Sequence, residues 1–338
     1  MAVGAGRVMA GLAPAAGAAG PGRAPSLLGA AGDRAALLEA AGPHSEVRFD
    51  EPLARHTTLR VGGPADAWVA PADAAAVARV FACCAAAGWP CRPIGGGSNL
   101  LVRGGGVRGV VVSSDRLRDL SFSPDGSATR VRVGAGVTTG KLLSEAVRRG
   151  LGGVEFLAGV PGSVGGGLCM NAGTYLGEFT QVVTAVRSVD PAGQLVERDH
   201  DACGFRYRGS ALPPAEMIVE GELVLGARDP AAIAADVRGL RDRRRDREPH
   251  GVSNAGSFFK NPPGDYAGRL IEQCGLKGTR RGDAEISPVH ANWIVNTGAA
   301  RAEELLELAA LARAAVQERF GVTLELEVKV VGEAVGEP

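Results

Sequence analysis

The chain has 338 residues, more than one simple core serves and enough for two or three domains. Its 45% hydrophobic and 22% charged content is that of an ordinary soluble globular protein. The 37 basic and 37 acidic residues cancel, which argues against a general electrostatic attraction to nucleic acid or to an anionic membrane.

Residues 1–32, rich in Ala, Gly and Pro, read as a disordered tail; Gly and Pro interrupt every apolar block that a secretory signal would need. Met9 stands as an alternative first residue. No run of about eighteen apolar residues lacks a breaker, so no transmembrane helix is predicted. Order is expected from about Asp33, where "DRAALLEAAG" has helical character. "DAAAVARVFACCAAAG" (73–88) places Val77, Val80, Phe81 and Cys84 at i, i+3, i+4, i+7, an amphipathic helix with Asp73 as N-cap. "CRPI", then "GGGSNLLV" and "GVRGVVVSS", follow and read as strand, glycine loop, strand. A second unit runs from the strand "TRVRVGAG" through the helix "TGKLLSEAVRRG" to "GVEFLAGVPGSVGGGLCMNAG".

"QVVTAVRSVD" and "GQLVERD" read as strands joined across the turn sequence "DPAG", and "EMIVEGELVL" (216–225) closes this half. Asp229 as N-cap and Pro230 at the first helical position start a helix carrying Ile233, Val237 and Leu240. That helix is expected to open a separate α+β domain. A long helix, about 301–319, presents Leu305, Leu308 and Leu311. The final stretch "VTLELEVKVV" alternates Val322, Leu324, Leu326, Val328 and Val330 against polar positions and predicts a strand. The six cysteines form no CxxC pair and have no His at metal-ligand spacing. Reduced, buried thiols of a cytosolic protein, and no metal, are therefore expected.

The 50 glycines cluster, and two of the clusters invite a nucleotide reading. "PIGGGSNLLV" sets three glycines, a serine and an asparagine after a strand, where consecutive N–H groups form an anion-binding concavity suited to a pyrophosphate. "GVPGSVGGGLCMNAG" is the second. Either loop taken alone is as well explained by a tight turn. "GAGVTTGKL" departs from a phosphate-binding P-loop in spacing, and Leu142 stands where the metal-binding Ser/Thr belongs. No GxGxxG opens a helix ahead of a suitably spaced acidic residue, and Ser257 sits in "AGSFF", not in a GxSxG elbow. Two glycine loops of neither standard kind suggest a dinucleotide held in a less common fold.

"HTTLRVGGPADAWV", "IGGGSNLLV", "GVPGSVGG" with "MNAGTY", "FRYRGS", "NAGSFFKNP", "LIEQCGLKG" and "LELEV" occur in this order. In that combination the chain resembles the UDP-N-acetylenolpyruvoylglucosamine reductases over about residues 45–332. Any one of these motifs is weak; the ordered set is specific. The resemblance implies an α+β protein with an FAD-binding fold of the vanillyl-alcohol-oxidase type. Its domains would be an FAD-binding domain at 45–226, in two subdomains (about 45–115 and 116–226), and a C-terminal α+β substrate domain at 227–332. It implies non-covalent FAD, NADPH as hydride donor and UDP-N-acetylglucosamine enolpyruvate as substrate. A monomer in the cytoplasm, without nucleic-acid or membrane partners, is expected. The chain is similar to the shorter form of the family, with no room after "EMIVEGELVL" for the tyrosine-bearing substrate loop of the longer form.

The substrate is an enol ether conjugated to a carboxylate, so hydride addition at its terminal carbon sends charge into the carboxylate. That chemistry asks for a cation at the carboxylate and an acid at the adjacent carbon. By resemblance Arg208 in "FRYRGS" is the cation, Ser257 in "NAGSFFKNP" the proton donor and Glu327 in "LELEV" the catalytic glutamate. Outside the motif, Arg208 would read as a surface arginine and Ser257 as a buried turn serine. Glu325 and Glu327 share one face of an alternating strand, so periodicity does not choose between them. Phe258 and Phe259 are expected to keep water from the proton transfer. Expected FAD contacts are Gly95, Gly96, Gly97, Ser98, Asn99, Leu100, Pro161, Gly162, Val164, Gly165, Gly166, Asn171 and Gly173. Expected substrate contacts are Tyr175, Tyr207, Asn261, Lys277 and one arginine of "RDRRRDRE", taken as Arg245. His56 and His290 are given structural roles. A sugar oxidase with flavin tethered through Cys169, and a nucleotide-binding protein with a decayed site, are the rival readings.

Overall fold

The computed structural model describes residues 26–335. α1 (Ala31–Ala41) lies against α2 (Ala74–Ala87). The Asp73 carboxylate accepts the Ala76 N–H at 2.7 Å, and Val77, Val80, Phe81 and Cys84 are buried, as the helical spacing predicts. Gly88 ends α2 with a left-handed φ of 68°, which lets the Trp89 N–H turn back to the Cys84 carbonyl. Leu28, fully buried in the same core, shows that the ordered chain starts before Asp33 and that 26–32 is not tail. Residues 1–25 of the predicted tail lie outside the described residues.

These helices pack on a four-stranded sheet in the order Glu46–Pro52, Pro64–Ala70, Val107–Ser113, Cys91–Ile94. The first pair is antiparallel and the other two are parallel. The sheet has two apolar faces. Val110 and Val112 join the helices in the main core, while Val107 and Val111 turn to the other face with Trp68 and Ile94. A second sheet is antiparallel throughout, in the order Leu195–Asp199, Val183–Val189, Met217–Ala227, Ala128–Gly134, Leu120–Asp125, with Leu151–Gly152 pairing at the end of its central strand. α3 (Thr139–Arg148), capped by Thr138, and the short α4 (Val164–Cys169) contribute Leu142, Leu143, Ala146, Val164 and Leu168 to the same core.

α5 (Pro230–Arg247) starts as predicted, with the Asp229 carboxylate accepting the Ala231 and Ala232 N–H groups. Its destination differs from the expectation. Ile233, Val237 and Leu240 pack into the first core, so the break between cores falls after α5 and not at residue 227. The turn residues of "GARDP" mark the change of direction, but the apolar stripe decides which core the helix joins.

A second core holds α6 (Ala267–Gln273), α7 (Ala302–Phe320) and the small sheet Arg280–Arg281, Ala284–Ile286, Ile294–Asn296. Leu305 and Leu308 are fully buried there and Leu311 is half-buried. The predicted final strand is broken up. Only Lys329–Val331 pairs as a strand, parallel to Leu100–Val102, while Leu326 forms a lone bridge to Phe259. The segment stays extended because its backbone hydrogen bonds go first to the 258–260 segment and then to Asn99. The Lys260 N–H donates to the Glu325 carbonyl, the Glu327 N–H to the Phe258 carbonyl, and the Lys329 N–H to the Asn99 carbonyl. The C-terminal chain thus ties the second core to the first glycine loop. No helix among the described residues is long and apolar enough to cross a membrane. The cysteines are free thiols; Cys84 and Cys203 are buried, whereas Cys169 is exposed.

Candidate active site

The two glycine loops, far apart in sequence, lie against each other. The Gly96 N–H donates to Ser163 Oγ at 3.2 Å and the Ser98 hydroxyl to the Pro161 carbonyl at 3.3 Å. This approach needs glycine. A Cβ on Gly96 would come within 2.9 Å of Gly162 Cα, and one on Gly97, where φ is +64°, would overlap the His56 carbonyl oxygen. Beside the loops opens a cavity of about 870 Å³, within the size range of small-molecule sites. The N–H groups of Gly97 and Ser98 have no protein acceptor among the described residues. Close-packed glycines with uncommitted donors fit a dinucleotide pyrophosphate, so the residues present suit FAD.

Gly95, Gly96, Gly97, Ser98, Asn99, Leu100, Pro161, Gly165, Gly166 and Gly173 line the cavity, as expected of flavin contacts. Three expected contacts do not line it. Val164 is fully buried, its N–H donating to the Val137 carbonyl at 2.8 Å. Asn171 is buried at φ 42°, its amide donating to Glu178 Oε2 and to the Arg206 carbonyl while its Oδ1 accepts the Thr180 N–H. Gly162 acts through shape, since a Cβ there would meet Ser98 Oγ at 2.5 Å. These residues brace the loops from behind, and motif membership does not separate bracing from contact.

Arg208, Ser257 and Glu327 come from three separate segments onto the wall of this one cavity. Arg208 sits at φ 53°, a left-handed conformation costly for an arginine, in a tight turn closed by the Arg206 N–H to the Gly209 carbonyl at 2.9 Å. Its Nε lies 3.2 Å from Glu327 Oε1, and its guanidinium sits 5.0 Å from the centre of the Tyr207 ring. Burial pushes the Glu327 carboxyl above its ordinary range, and the charges of Arg208, Lys260 and Lys329 oppose that shift only in part. The structure separates what periodicity leaves open. The Glu325 side chain is 74% exposed and reaches Lys260 Nζ at 3.3 Å, whereas Glu327 is 18% exposed and faces Arg208.

Ser257 is half-buried, and its hydroxyl has no hydrogen-bond partner among the described residues. The next two residues hold it. The Phe258 N–H donates to the Asn292 carbonyl at 2.7 Å and the Phe259 N–H to Asn292 Oδ1 at 2.9 Å, while the Phe258 carbonyl accepts the Glu327 N–H. Both phenyl rings belong to the second core, and only Phe259 reaches the cavity wall. Their observed work is anchoring the serine segment, a correction to the water-exclusion expectation for Phe258. The Asn99 amide donates to the Glu327 carbonyl at 3.0 Å, joining the glycine loop to the same wall.

Tyr175, Tyr207 and Asn261 line the cavity. Lys277 does not; its Nζ lies 2.7 Å from Glu272 Oε1. Arg245 points away, 68% exposed and 2.9 Å from Asp242. The cavity face of α5 is Leu240, Arg243, Arg244 and Arg247, an i, i+3, i+4, i+7 row that Arg245 misses by one position. That spacing was readable within "RDRRRDRE". The Arg243 guanidinium sits 4.8 Å from the Tyr175 ring centre, so α5 and the loop before Gly177 meet at the cavity wall. Lys260, Lys329 and His290 also line the cavity; burial, with the Lys277 ammonium nearby, holds His290 below the ordinary imidazole range. His56 Nε2 donates to Glu51 Oε1 at 3.0 Å, and its ring stacks on Trp68 with ring centres 4.5 Å apart, a structural role.

The family description of the UDP-N-acetylenolpyruvoylglucosamine reductase C-terminal domain matches residues 248–331, and that of an FAD-binding domain matches 65–199. The reductase of Geobacter sulfurreducens is 44% identical over 301 residues, covering 89% of this chain and 99% of that one. Reductase 2 of Symbiobacterium thermophilum is 46% identical over 290 residues, 85% of this chain and 92% of the relative. The crystal structure of the enzyme from Thermus caldophilus superposes with a TM-score of 0.71 at 38% identity, covering 85% of this chain and 98% of that one. The match at 248 agrees with the break between cores after α5. With the glycine-loop site and these likenesses together, the chain belongs to the UDP-N-acetylenolpyruvoylglucosamine reductases, FAD-dependent oxidoreductases that use NADPH to reduce UDP-N-acetylglucosamine enolpyruvate in peptidoglycan precursor synthesis.

Proposed function

We propose that Arg208, Ser257 and Glu327 divide the chemistry of this reduction among them. The supporting observation is that an ion pair and a hydroxyl with no partner among the described residues, brought from three segments, share one cavity wall beside the glycine loops. When bound, FAD supplies the hydride, which it receives from NADPH. Arg208 holds the substrate carboxylate with a permanent, planar charge, and its field favours the negative charge that addition sends there. The left-handed turn at Arg208 aims the guanidinium while the Glu327 carboxylate fixes its Nε, which leaves the terminal nitrogens for substrate. Ser257 delivers a proton to the carbon beside the carboxylate. An ordinary hydroxyl is a weak acid, so it acts through position against a strongly basic carbon. Glu327, at 18% exposure, restrains Arg208 and steadies the proton transfer.

Tyr175, Tyr207 and Asn261 are read as contacts to the UDP-sugar, with the arginine row of α5 where Arg245 was expected. We read the chain as a monomer of the cytoplasm that supplies cell-wall precursor during growth and division. A sedimentation mass of one 34.5 kDa chain checks the first of these.

The test of the proposed reaction is a half-reaction. Wild-type protein, its flavin bleached anaerobically by one equivalent of NADPH, is mixed with UDP-N-acetylglucosamine enolpyruvate. Rapid return of the oxidised flavin band is expected. A band that stays bleached would overturn the substrate while leaving the flavin fold standing.

A further inference from the structure

We propose that Asn171 and Ser210 are positioning residues for Arg208. They fasten the turn that carries Arg208 onto the end of α4, so that the guanidinium keeps its place relative to the second glycine loop. This rests on the role given to Arg208 above and adds the means by which that role is held.

Arg208 has a left-handed φ of 53°, which an arginine keeps only where its surroundings impose it. Within its turn the Arg206 N–H donates to the Gly209 carbonyl at 2.9 Å, and the Gly209 N–H to the Arg206 carbonyl at 3.1 Å. These two bonds close the turn but do not locate it. Two side-chain bonds do. The Asn171 amide donates to the Arg206 carbonyl at 3.2 Å, and the Ser210 hydroxyl donates to the Cys169 carbonyl at 2.9 Å. One bond lies on each side of Arg208 in the chain. Both lead to the C-terminal end of α4, the helix that includes Gly165 and Gly166 of the cavity wall.

Asn171 is itself firmly held. It is 1% exposed, its Oδ1 accepts the Thr180 N–H at 2.9 Å, and its amide also donates to Glu178 Oε2 at 2.6 Å. An N–H on one side, and a carboxylate with a carbonyl on the other, leave one orientation for the amide. Glu178 is fixed in turn by a capping box with Gln181 at the helical turn Phe179–Gln181. Ser210 is buried as well, so water does not compete for either anchor. Glu327 restrains the far end of the same side chain, 3.2 Å from Arg208 Nε. Backbone and head group are thus placed separately. A shift of about 1 Å in a reacting group costs about 10²-fold in rate, which sets the scale of what the anchors protect.

The test is a double-variant cycle with Arg208 on the holoenzyme, reading flavin reoxidation by UDP-N-acetylglucosamine enolpyruvate in stopped-flow absorbance. Ser210→Ala is expected to slow reoxidation about 10-fold. Asn171→Gly, which tolerates the left-handed φ of 42° but loses the amide, should slow it about 10²-fold. Ser210→Thr keeps a hydroxyl and should stay near the wild-type rate. In an Arg208→Gln background neither Ser210→Ala nor Asn171→Gly should slow reoxidation further, because no guanidinium is left to misplace. Slowdowns that multiply would mean that the two residues act on the fold at large, and would overturn the positioning role. Wild-type rates in both single variants would overturn it too. If Asn171→Gly does not fold, Ser210→Ala and its double variant with Arg208→Gln decide alone. Arg208→Gln that reoxidises at the wild-type rate would instead overturn the role of Arg208, and the positioning role with it.

Discussion

Ser257→Ala is expected to keep its flavin and to accept reducing equivalents from NADPH at the wild-type rate, yet to reoxidise with substrate roughly 10²–10⁴-fold more slowly. The separation of the two effects follows from how the serine is held. Backbone bonds of Phe258 and Phe259 to Asn292, and of Phe258 to Glu327, position the segment, and none uses the Ser257 side chain. Removing the hydroxyl therefore leaves the wall in place and takes away only a proton. Stopped-flow absorbance resolves the two steps in one variant. Wild-type reoxidation in Ser257→Ala would remove the serine from the proton transfer; equal slowing of both steps would point to a collapsed wall.

Arg208→Gln should lower kcat/KM for the enolpyruvate substrate by roughly 10²–10³, the usual effect of removing one group that stabilises developing charge. Arg208→Lys should recover little, because an ammonium is a point charge and does not reproduce the planar contact to Glu327 and substrate together. The same variant has a pH signature. Burial already holds the Glu327 carboxyl above its ordinary range, and losing the guanidinium raises it further. A raised carboxyl pKa means that the folded protein binds more protons than the unfolded chain. Stability then falls as pH rises from the ordinary carboxylate range through the raised value. The melting-temperature deficit of Arg208→Gln relative to wild type is accordingly expected to be smaller at about pH 5 than at about pH 8. A deficit that does not change with pH would mean that Arg208 does not restrain Glu327 in solution.

Much of the local structure was legible from one-dimensional signals. The cap at Asp73 with the apolar face of α2, and the Asp229–Pro230 start of α5, follow from capping chemistry and helical period, which act within a few residues. The two glycine loops were legible as glycine clusters because only glycine tolerates such close backbone approach. Which loop residues touch the cavity was not. Val164 and Asn171 carry the same motif as their neighbours, but they are buried behind the cavity wall, with hydrogen bonds to Val137, Glu178, Thr180 and the Arg206 carbonyl. For the arginines of α5, period alone separates Arg243, Arg244 and Arg247 from Arg245 once it is known which core the helix faces.

What the sequence by itself determined is therefore the inventory: two glycine loops, an arginine, a serine and two glutamates in an order specific to this family, together with the helices that local chemistry dictates. The tertiary structure decided the assignments. It sent α5 to the first core, broke the last strand between two hydrogen-bonding partners, and exposed Glu325 to solvent while turning Glu327 to Arg208. The physical reason is range. Caps, turns and amphipathic period are set by neighbours a few residues away, whereas burial and charge pairing depend on chain segments more than a hundred residues apart, as Arg208 and Glu327 are.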